Sequence, residues 1–262
     1  MAAALWMAAL VIGPLVAGSS DSSGPLYTAD SIANTAANVA NFYAPNTFVT
    51  IYGENLAFVT AAISAEDING DTLPTVLIGT GVRVNVNQIS ADIYYVSPGQ
   101  VNILLPSNLI AGPATVQLEV NGVAGPAVGI TLGATAPALF QIDASTVLGT
   151  HADGSLITAA SPAHAGEEIV LWATGLGPTA PAAIPNQLPE TAAPLAAISQ
   201  FQVLLNGVAV DPRNIAYAGA SPGYAGLFQI NVTLPSDAPQ NPEVRVATAD
   251  ATSVAQRYLP LQ

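Results

Sequence analysis

The densest acidic stretch of the chain is Glu66-Asp67-Ile68-Asn69-Gly70-Asp71. Within it, Asp67, Asn69 and Asp71 offer oxygens at alternating positions. Such a spacing can wrap calcium, a hard cation that takes about six to eight oxygen ligands. It is not an EF-hand, because Ile78 stands where the closing glutamate belongs. The competing reading is an exposed Asn-Gly turn with solvated carboxylates. Nucleophilic chemistry has little to draw on. There are two histidines, His151 and His164. Ser161 near His164 suggests a Ser-His-Asp site, yet neither a G-x-S-x-G elbow nor an H-E-x-x-H motif occurs. His164 reads instead as a solvated residue in the loop before a strand. Gly175-Leu176-Gly177-Pro178 lacks the third glycine and the following helix that would cradle a phosphate. The expectation is a protein that is not an enzyme and has no resident cofactor, calcium being the one ion weighed.

Aromatic residues offer a different chemistry, stacking against sugar rings. Tyr94 and Tyr95 are adjacent in a predicted strand, so one should face each side of the sheet. The outward one, with Tyr217 or Tyr224, is a candidate ligand surface. Trp172 shares a strand face with Val170 and is expected in the core between sheets.

The elements that must position these residues are announced by a repeat. Ile93-Tyr94-Tyr95-Val96-Ser97-Pro98-Gly99 leads into Gln100-Val101-Asn102-Ile103-Leu104-Leu105-Pro106-Ser107. Ile215-Ala216-Tyr217 and Ser221-Pro222-Gly223 lead, after a short insertion, into Gln229-Ile230-Asn231-Val232-Thr233-Leu234-Pro235-Ser236. Ile51-Tyr52-Gly53-Glu54-Asn55-Leu56 likewise matches Leu171-Trp172-Ala173-Thr174-Gly175-Leu176. A repeat this long is a whole small β-domain rather than a solenoid unit. Val82 to Asn87 and Thr115 to Val120 alternate apolar and polar residues, the period of a half-buried strand. Asn121-Gly122 and Asn206-Gly207 are hairpin turns. Ser97-Pro98-Gly99-Gln100 fits a type II turn. Leu139 to Ser155 looks like an additional hairpin, and Ala180 to Leu195, rich in Pro and Ala, like a loop. The implied fold class is all-β, two tandem Ig-like antiparallel sandwiches. The expected division is 1–18 signal peptide, 19–30 linker, 31–134 first sandwich and 135–262 second sandwich.

Composition narrows the partners. The chain has no cysteine and no lysine, four arginines, 8% charged residues and a formal net charge of -13. No disulfide or thiolate site is available. Nucleic acid, which needs clustered basic residues, is not expected as a partner, and anionic membrane surfaces are disfavoured for the same reason. Leu5 to Val16 is an apolar run followed by Ala17-Gly18-Ser19-Ser20, the pattern of a secretory leader cleaved near Gly18. This pattern implies secretion or display at the cell surface, with no membrane span left after cleavage.

These segments resemble a known family. "VTIYGENLA", "YYVSPGQVNILLP", "LWATGLGPTAP" and "GLFQINVTLP" are similar to the Solibacter-type uncharacterised C-terminal domain of acidobacterial secreted and surface proteins. The likeness runs from about Ser31 to Gln262. That family is in turn similar to the IPT/TIG type of Ig-like domain. The resemblance implies paired Ig-like sandwiches and supplies no catalytic residues. Members are often the tail of longer surface proteins, whereas here the module is expected directly after a leader. The resulting expectation is an adhesion, scaffold or assembly module, binding other extracellular proteins or itself. In its specific form, residues from about Ser19 to Asn46 donate or cap a strand at a sheet edge. The alternative is a polysaccharide-binding module, with or without calcium.

Overall fold

The computed structural model describes residues 24–262. The expected leader and its cleavage site lie outside them. Among the described residues, no helix is long and apolar enough to cross a membrane.

The chain forms two antiparallel β-sandwiches of Ig-like type. In the first, one sheet runs in the order Val39–Ala40, Ile32–Asn34, Phe48–Tyr52, Gln100–Leu104, Asp92–Ser97, Ala61–Ala62. The facing sheet runs Val123–Ala124, Gly112–Val120, Val82–Val86, Ile89–Ser90, and Val128–Leu132 also pairs with Gly112–Val120. The alternation predicted for Val82 to Val86 is met, with Val82, Val84 and Val86 buried and Arg83 exposed. Val49 and Ile51 meet Val101 and Ile103 across the ladder and enter the same core.

The second sandwich repeats this arrangement. Glu168–Thr174, Phe228–Thr233 and Ile215–Ala220 lie side by side in one sheet, as their counterparts Phe48–Tyr52, Gln100–Leu104 and Asp92–Ser97 do. Its partner sheet is Val208–Ala209, Gln202–Leu205 and Val244–Ala247. Two further segments, Ala138–Leu139 and Gly149–His151, both pair with Glu168–Thr174. One core gathers buried residues between Tyr27 and Leu132, the other between Leu139 and Leu261. The duplication extends to backbone detail. Asn55 and Gly175 occupy matching turns at φ 57 and φ 72, left-handed values that Asn and Gly tolerate better than other residues.

The segment before the first sheet is no free linker from Gly24 onward. Leu26 pairs with Glu54. The buried Tyr27 hydroxyl donates to Pro126 O at 2.6 Å and accepts from the Leu118 amide at 2.7 Å. Ile32–Asn34 pairs with Phe48–Tyr52 of its own sandwich, which makes it an integral strand and leaves it unavailable for donation to another chain. Tyr27→Phe leaves the buried Leu118 N–H without its partner. It is expected to cost about 1–3 kcal/mol, read as a lower urea midpoint at unchanged slope.

Two sequence expectations about aromatic residues are corrected. Trp172 points away from the core, because Ile169, Leu171 and Ala173 take the inner face of its strand, and it is half-buried on the outer one. Tyr94 and Tyr95 do not lie on opposite faces with one inside. A bulge between Ile93 and Tyr95 interrupts the alternation, and neither tyrosine joins the first core. A bulge adds a residue without changing the partner's register, so a strict period of two misplaces the residues beyond it. The same bulge recurs between Ile215 and Tyr217.

Candidate functional site at the junction of the two sandwiches

The two sandwiches meet through a third apolar cluster. Phe48, Leu73 and Leu104 from the first pack with Ala225, Phe140 and Leu188 from the second, and Tyr94 joins them. The rings of Phe48 and Tyr94 meet edge to face at 4.9 Å, those of Phe48 and Phe140 at 6.1 Å. Phe48 and Leu104 sit opposite each other on the outer face of the first sheet. Local alternation therefore turns them away from their own core and leaves them for another body to cover.

The covering group is the insertion that distinguishes the second repeat from the first. In the first repeat, Ser97 pairs directly with Gln100 around Pro98-Gly99. In the second, the corresponding pair is Gly219 and Gln229, and the hairpin continues through Ala220 and Phe228 to a longer tip. That tip carries Tyr224, Ala225 and Gly226. Gly226 lies so close to the first sandwich that a Cβ there would stand 2.3 Å from Leu104 Cδ1. Thr174 Oγ1 accepts from the Phe48 amide at 3.2 Å and donates to Gly226 O at 2.9 Å, which ties strand, joint and hairpin together.

The Pro- and Ala-rich loop after Thr179 forms the other wall. It is anchored across the junction, with the Leu73 amide on Asn186 O at 2.8 Å and the Leu188 amide on Asp71 O at 2.9 Å. The Gly223 amide bonds Pro189 O at 2.7 Å, joining this loop to the inserted hairpin. Between these parts lies a cleft of about 330 Å³, at the lower end of the roughly 300–1,000 Å³ usual for small-molecule sites. Its polar lining includes Asn46, Asp71, Asp92, Asn186, Glu190 and Tyr224.

Asp92 is the unusual member. It begins its strand, is only 4% exposed, and accepts from Asn186 Nδ2 at 2.5 Å. Burial pushes its carboxyl up to about 7, against the partial opposition of that hydrogen bond. A carboxyl poised near neutrality in a cleft is a candidate functional group on physical grounds. Burial, with the nearby Asp92, also raises the Tyr94 phenol.

The candidate residues from the sequence are thus dispersed. Asp71 and Tyr224, picked for different reasons, both line the cleft. Asp67 is turned elsewhere. Its carboxylate accepts from the Ser64 amide (2.9 Å), Ser64 Oγ (2.7 Å) and the Ile78 amide (2.8 Å). Burial works to raise this carboxyl, but those hydrogen bonds outweigh it and hold it below the usual range. Asn69 closes a small turn with Thr72 through reciprocal backbone bonds of 3.1 and 3.0 Å around Gly70. Within the acidic stretch, Asp67 works as a turn cap. Among the described residues, no group of three or more His, Asp or Glu side chains is placed to hold a metal ion.

Tyr95 and Tyr217 occupy equivalent outer-face positions, opposite Asn102 and Asn231. In both sandwiches the neighbouring glutamine donates to that asparagine, at 2.8 Å from Gln100 and 2.7 Å from Gln229. Tyr217 lies over Gly219 and gives its hydroxyl to Ala220 O at 2.7 Å. The candidate surface therefore divides into two matching outer-face tyrosines, one joint tyrosine (Tyr94) and one cleft tyrosine (Tyr224).

The histidine expectation is also redrawn. His151, not His164, meets Ser161, with Nε2 3.2 Å from Ser161 O and 3.4 Å from its Oγ. On its other side Nδ1 contacts Glu167 Oε1 at 2.5 Å. The outline is that of a Ser-His-Glu triad, but the backbone amides beside Ser161 are engaged. The Ser161 amide bonds Thr158 O and the Ala163 amide bonds Pro260 O, while residue 162 is proline. The amides flanking Ser161 are therefore not free to hold an oxyanion. The His151 ring, set between Glu167 and the Ser161 carbonyl, clasps the Gly149–His151 strand to the loop before Glu168. The Glu167 hydrogen bond holds the His151 ring above its ordinary value, against the modest effect of burial. Glu167→Gln is expected to bring the His151 titration down toward 6.5, followed by imidazole NMR.

No protein-family model and no curated protein matches the chain. Among solved structures it is similar to the surface glycan-binding protein PbSGBP-B from Prevotella bryantii, at 12% identity, with 92% of this chain and 42% of that one covered and a TM-score of 0.25. It is similar to the Bacteroides ovatus mixed-linkage glucan utilization locus SGBP-B in complex with a mixed-linkage heptasaccharide, at 11% identity, covering 85% and 43%, with a TM-score of 0.33. It is also similar to the tandem Ig repeats of Dlar, at 12% identity, covering 84% and 91%, with a TM-score of 0.21. The chain spans less than half the length of the two glycan-binding proteins.

Proposed function

We propose that this is a non-enzymatic, extracellular module that binds polysaccharide in the cleft between its two sandwiches, and so adheres to glycan. The observation that carries the reading is the composition of the cleft. Amides (Asn46, Asn186), carboxylates (Asp71, Asp92, Glu190) and the half-buried Tyr224 ring converge on one concavity. Sugars present ring C–H faces between dense hydroxyl groups. An aromatic ring answers the first and paired donors and acceptors answer the second. The fused joint suits such a role, because a site preorganised by two docked domains avoids an ordering cost on binding.

A glycan array followed by affinity electrophoresis in polysaccharide gels tests this. The intact protein is expected to be retarded by at least one polysaccharide. Tyr224→Ala is expected to weaken retention by about tenfold or more, the loss typical of one stacked ring. Chelator is expected to leave binding unchanged, since Asp67 is occupied by Ser64 and Ile78. Retention that persists in Tyr224→Ala and Asn186→Ala alike would remove the cleft as the site.

A further inference from the structure

Outside the cleft, one constellation of aromatic and amide side chains occurs twice. In the second sandwich Trp172 stands opposite Gln229, and Tyr217 opposite Asn231, on three adjacent strands. In the first, Tyr52 stands opposite Gln100, and Tyr95 opposite Asn102, at the equivalent places. These side chains belong to the outer faces of their sheets, and none enters a core. Other outer-face positions change between the copies. Phe48 answers to Glu168, Thr50 to Val170 and Leu104 to Thr233. Core burial selects the inward residues, but it does not ask for the same Gln, Asn and Tyr on an outer face twice. The retained set points to a use beyond packing.

In the second copy the geometry suits a sugar chain. Gly219 has no side chain, and the Tyr217 hydroxyl stands 2.6 Å from where its Cβ would be. The Tyr217 ring therefore lies down along its strand, into the row of Gln229 and Trp172. Both aromatic side chains are half-buried, with one side on the sheet and one to solvent. Neighbouring strands lie about 4.8 Å apart, so the two aromatics stand about 10 Å apart with Gln229 between them. Gln229 gives a hydrogen to Asn231 Oδ1 at 2.7 Å. Its own Oε1 and the Asn231 amide group have no protein partner among the described residues. An acceptor and a donor held side by side match neighbouring sugar hydroxyls. The chain carries 17 Asp and Glu, yet none stands in these rows. An uncharged ligand complements such a face. The first copy has Ser97 in place of Gly219, which leaves its tyrosine less room to lie flat. Both faces run up to the cleft. Leu104, the next outward residue after Asn102, lines it, and so does Ala220, whose carbonyl takes the Tyr217 hydroxyl.

We propose, resting on the glycan class named above but not on the cleft itself, that the outer face of the second sandwich is a further binding platform for an uncharged, extended polysaccharide. Trp172 and Tyr217 stack on successive sugar rings, and Gln229 and Asn231 take the hydroxyls between them. Tyr52, Gln100, Asn102 and Tyr95 form the weaker counterpart on the first sandwich.

The test uses the full chain carrying Trp6→Phe, in which Trp172 is the sole indole. Its fluorescence is followed as cellohexaose, mannohexaose or the galacturonate hexamer is added, with calorimetry alongside. A neutral hexamer is expected to move the emission to shorter wavelength and to shield the indole from acrylamide, and the galacturonate hexamer to do neither. Trp172→Ala is expected to weaken the calorimetric affinity about tenfold, and Trp172→Phe to keep most of it. Gln229→Leu serves if Trp172→Ala does not fold, and it should weaken the fluorescence titration by a similar factor. A hexamer that binds by calorimetry, loses that binding in Tyr224→Ala and leaves Trp172 emission and quenching unchanged overturns the platform and leaves the cleft reading standing. A Trp172 response that survives both Tyr224→Ala and Asn186→Ala keeps the platform and removes the cleft. An emission shift that follows protein concentration without sugar, with a dimer in native mass spectra, gives this face to a second copy and overturns the platform. An equal response to the galacturonate hexamer overturns the selection of uncharged chains. Failure of all three hexamers to bind at millimolar concentration removes the platform and the glycan reading together.

Discussion

Phe48→Ala is expected to uncouple the two sandwiches while leaving each folded. Phe48 is 3% exposed, yet its ring belongs to the joint and not to the first core, where Val49 and Ile51 point. Truncation removes both edge-to-face contacts, with Tyr94 and Phe140. It also leaves a cavity that Leu104 and Ala225 cannot close without moving their backbones. A buried phenylalanine truncated to alanine typically costs about 3–5 kcal/mol, and here that loss falls on the contact between the domains. Calorimetry should show the wild type melting in one transition and the variant in two. Small-angle scattering should show a longer particle, and glycan retention should fall because the cleft loses its two fixed walls. A single transition with unchanged scattering would mean that the backbone bonds of the Thr179-to-Ala193 loop suffice to hold the joint. Gly226→Val approaches the same joint from the other side. It forces a Cβ against Leu104 and a β-branched residue into φ +74, and it should produce the same separation.

The second large effect concerns pH. The Asp92 carboxyl is raised from 3.8 to about 7 in the folded protein. Its protonated form is the one that the fold accommodates. The contribution is complete below pH 4, where folded and unfolded chains are both protonated. It is lost progressively as pH rises from there to about 7, where the unfolded chain has ionised and the folded one resists. Above that the deficit is constant. A shift of this size corresponds to roughly 4 kcal/mol. Urea midpoints should therefore fall between pH 4.5 and 7.5. Asp92→Asn, which still presents an oxygen to Asn186, should flatten this segment and be the more stable protein at pH 8. The His151–Glu167 clasp runs with a different sign at its two ends. The raised His151 is lost as pH climbs through its own titration, and the lowered Glu167 is lost in acid. Because the clasp is near the surface, its effect is small beside that of Asp92. If midpoints rose steadily to pH 8 instead, Asp92 would have to be ionised in the native state with a partner that the fold does not display.

Several features of this protein are legible residue by residue. The doubled Gln-x-Asn strands, the alternating valines, the Asn-Gly turns and the match of Asn55 with Gly175 specify two antiparallel sandwiches. Each rests on local chemistry: a period of two, a positive φ, or a proline that ends a ladder. The insertion after Ser221-Pro222-Gly223 is visible as a departure between the repeats, and it marks the joint. Its purpose is not visible, because that depends on Leu104 and Phe48, far away in sequence and exposed on a sheet face until a second body covers them. The bulges at Ile93 and Ile215 are silent for a similar reason. A single added residue leaves composition unchanged while redirecting the tyrosine after it.

The site itself belongs to the tertiary structure. Nothing near Asp92 in the sequence distinguishes it from any other strand-initiating aspartate. Its raised carboxyl arises from burial under a loop that enters from the other domain with Asn186. Asp67 and Asp71 look alike in the chain, but hydrogen-bond geometry makes the first a turn cap and gives the second to the cleft. Local sequence sets backbone conformation and which face a residue presents, since both depend on nearest neighbours. Which faces are finally buried, and which carboxyls lose their water, depends on how two domains dock, and that is decided by shape at long range.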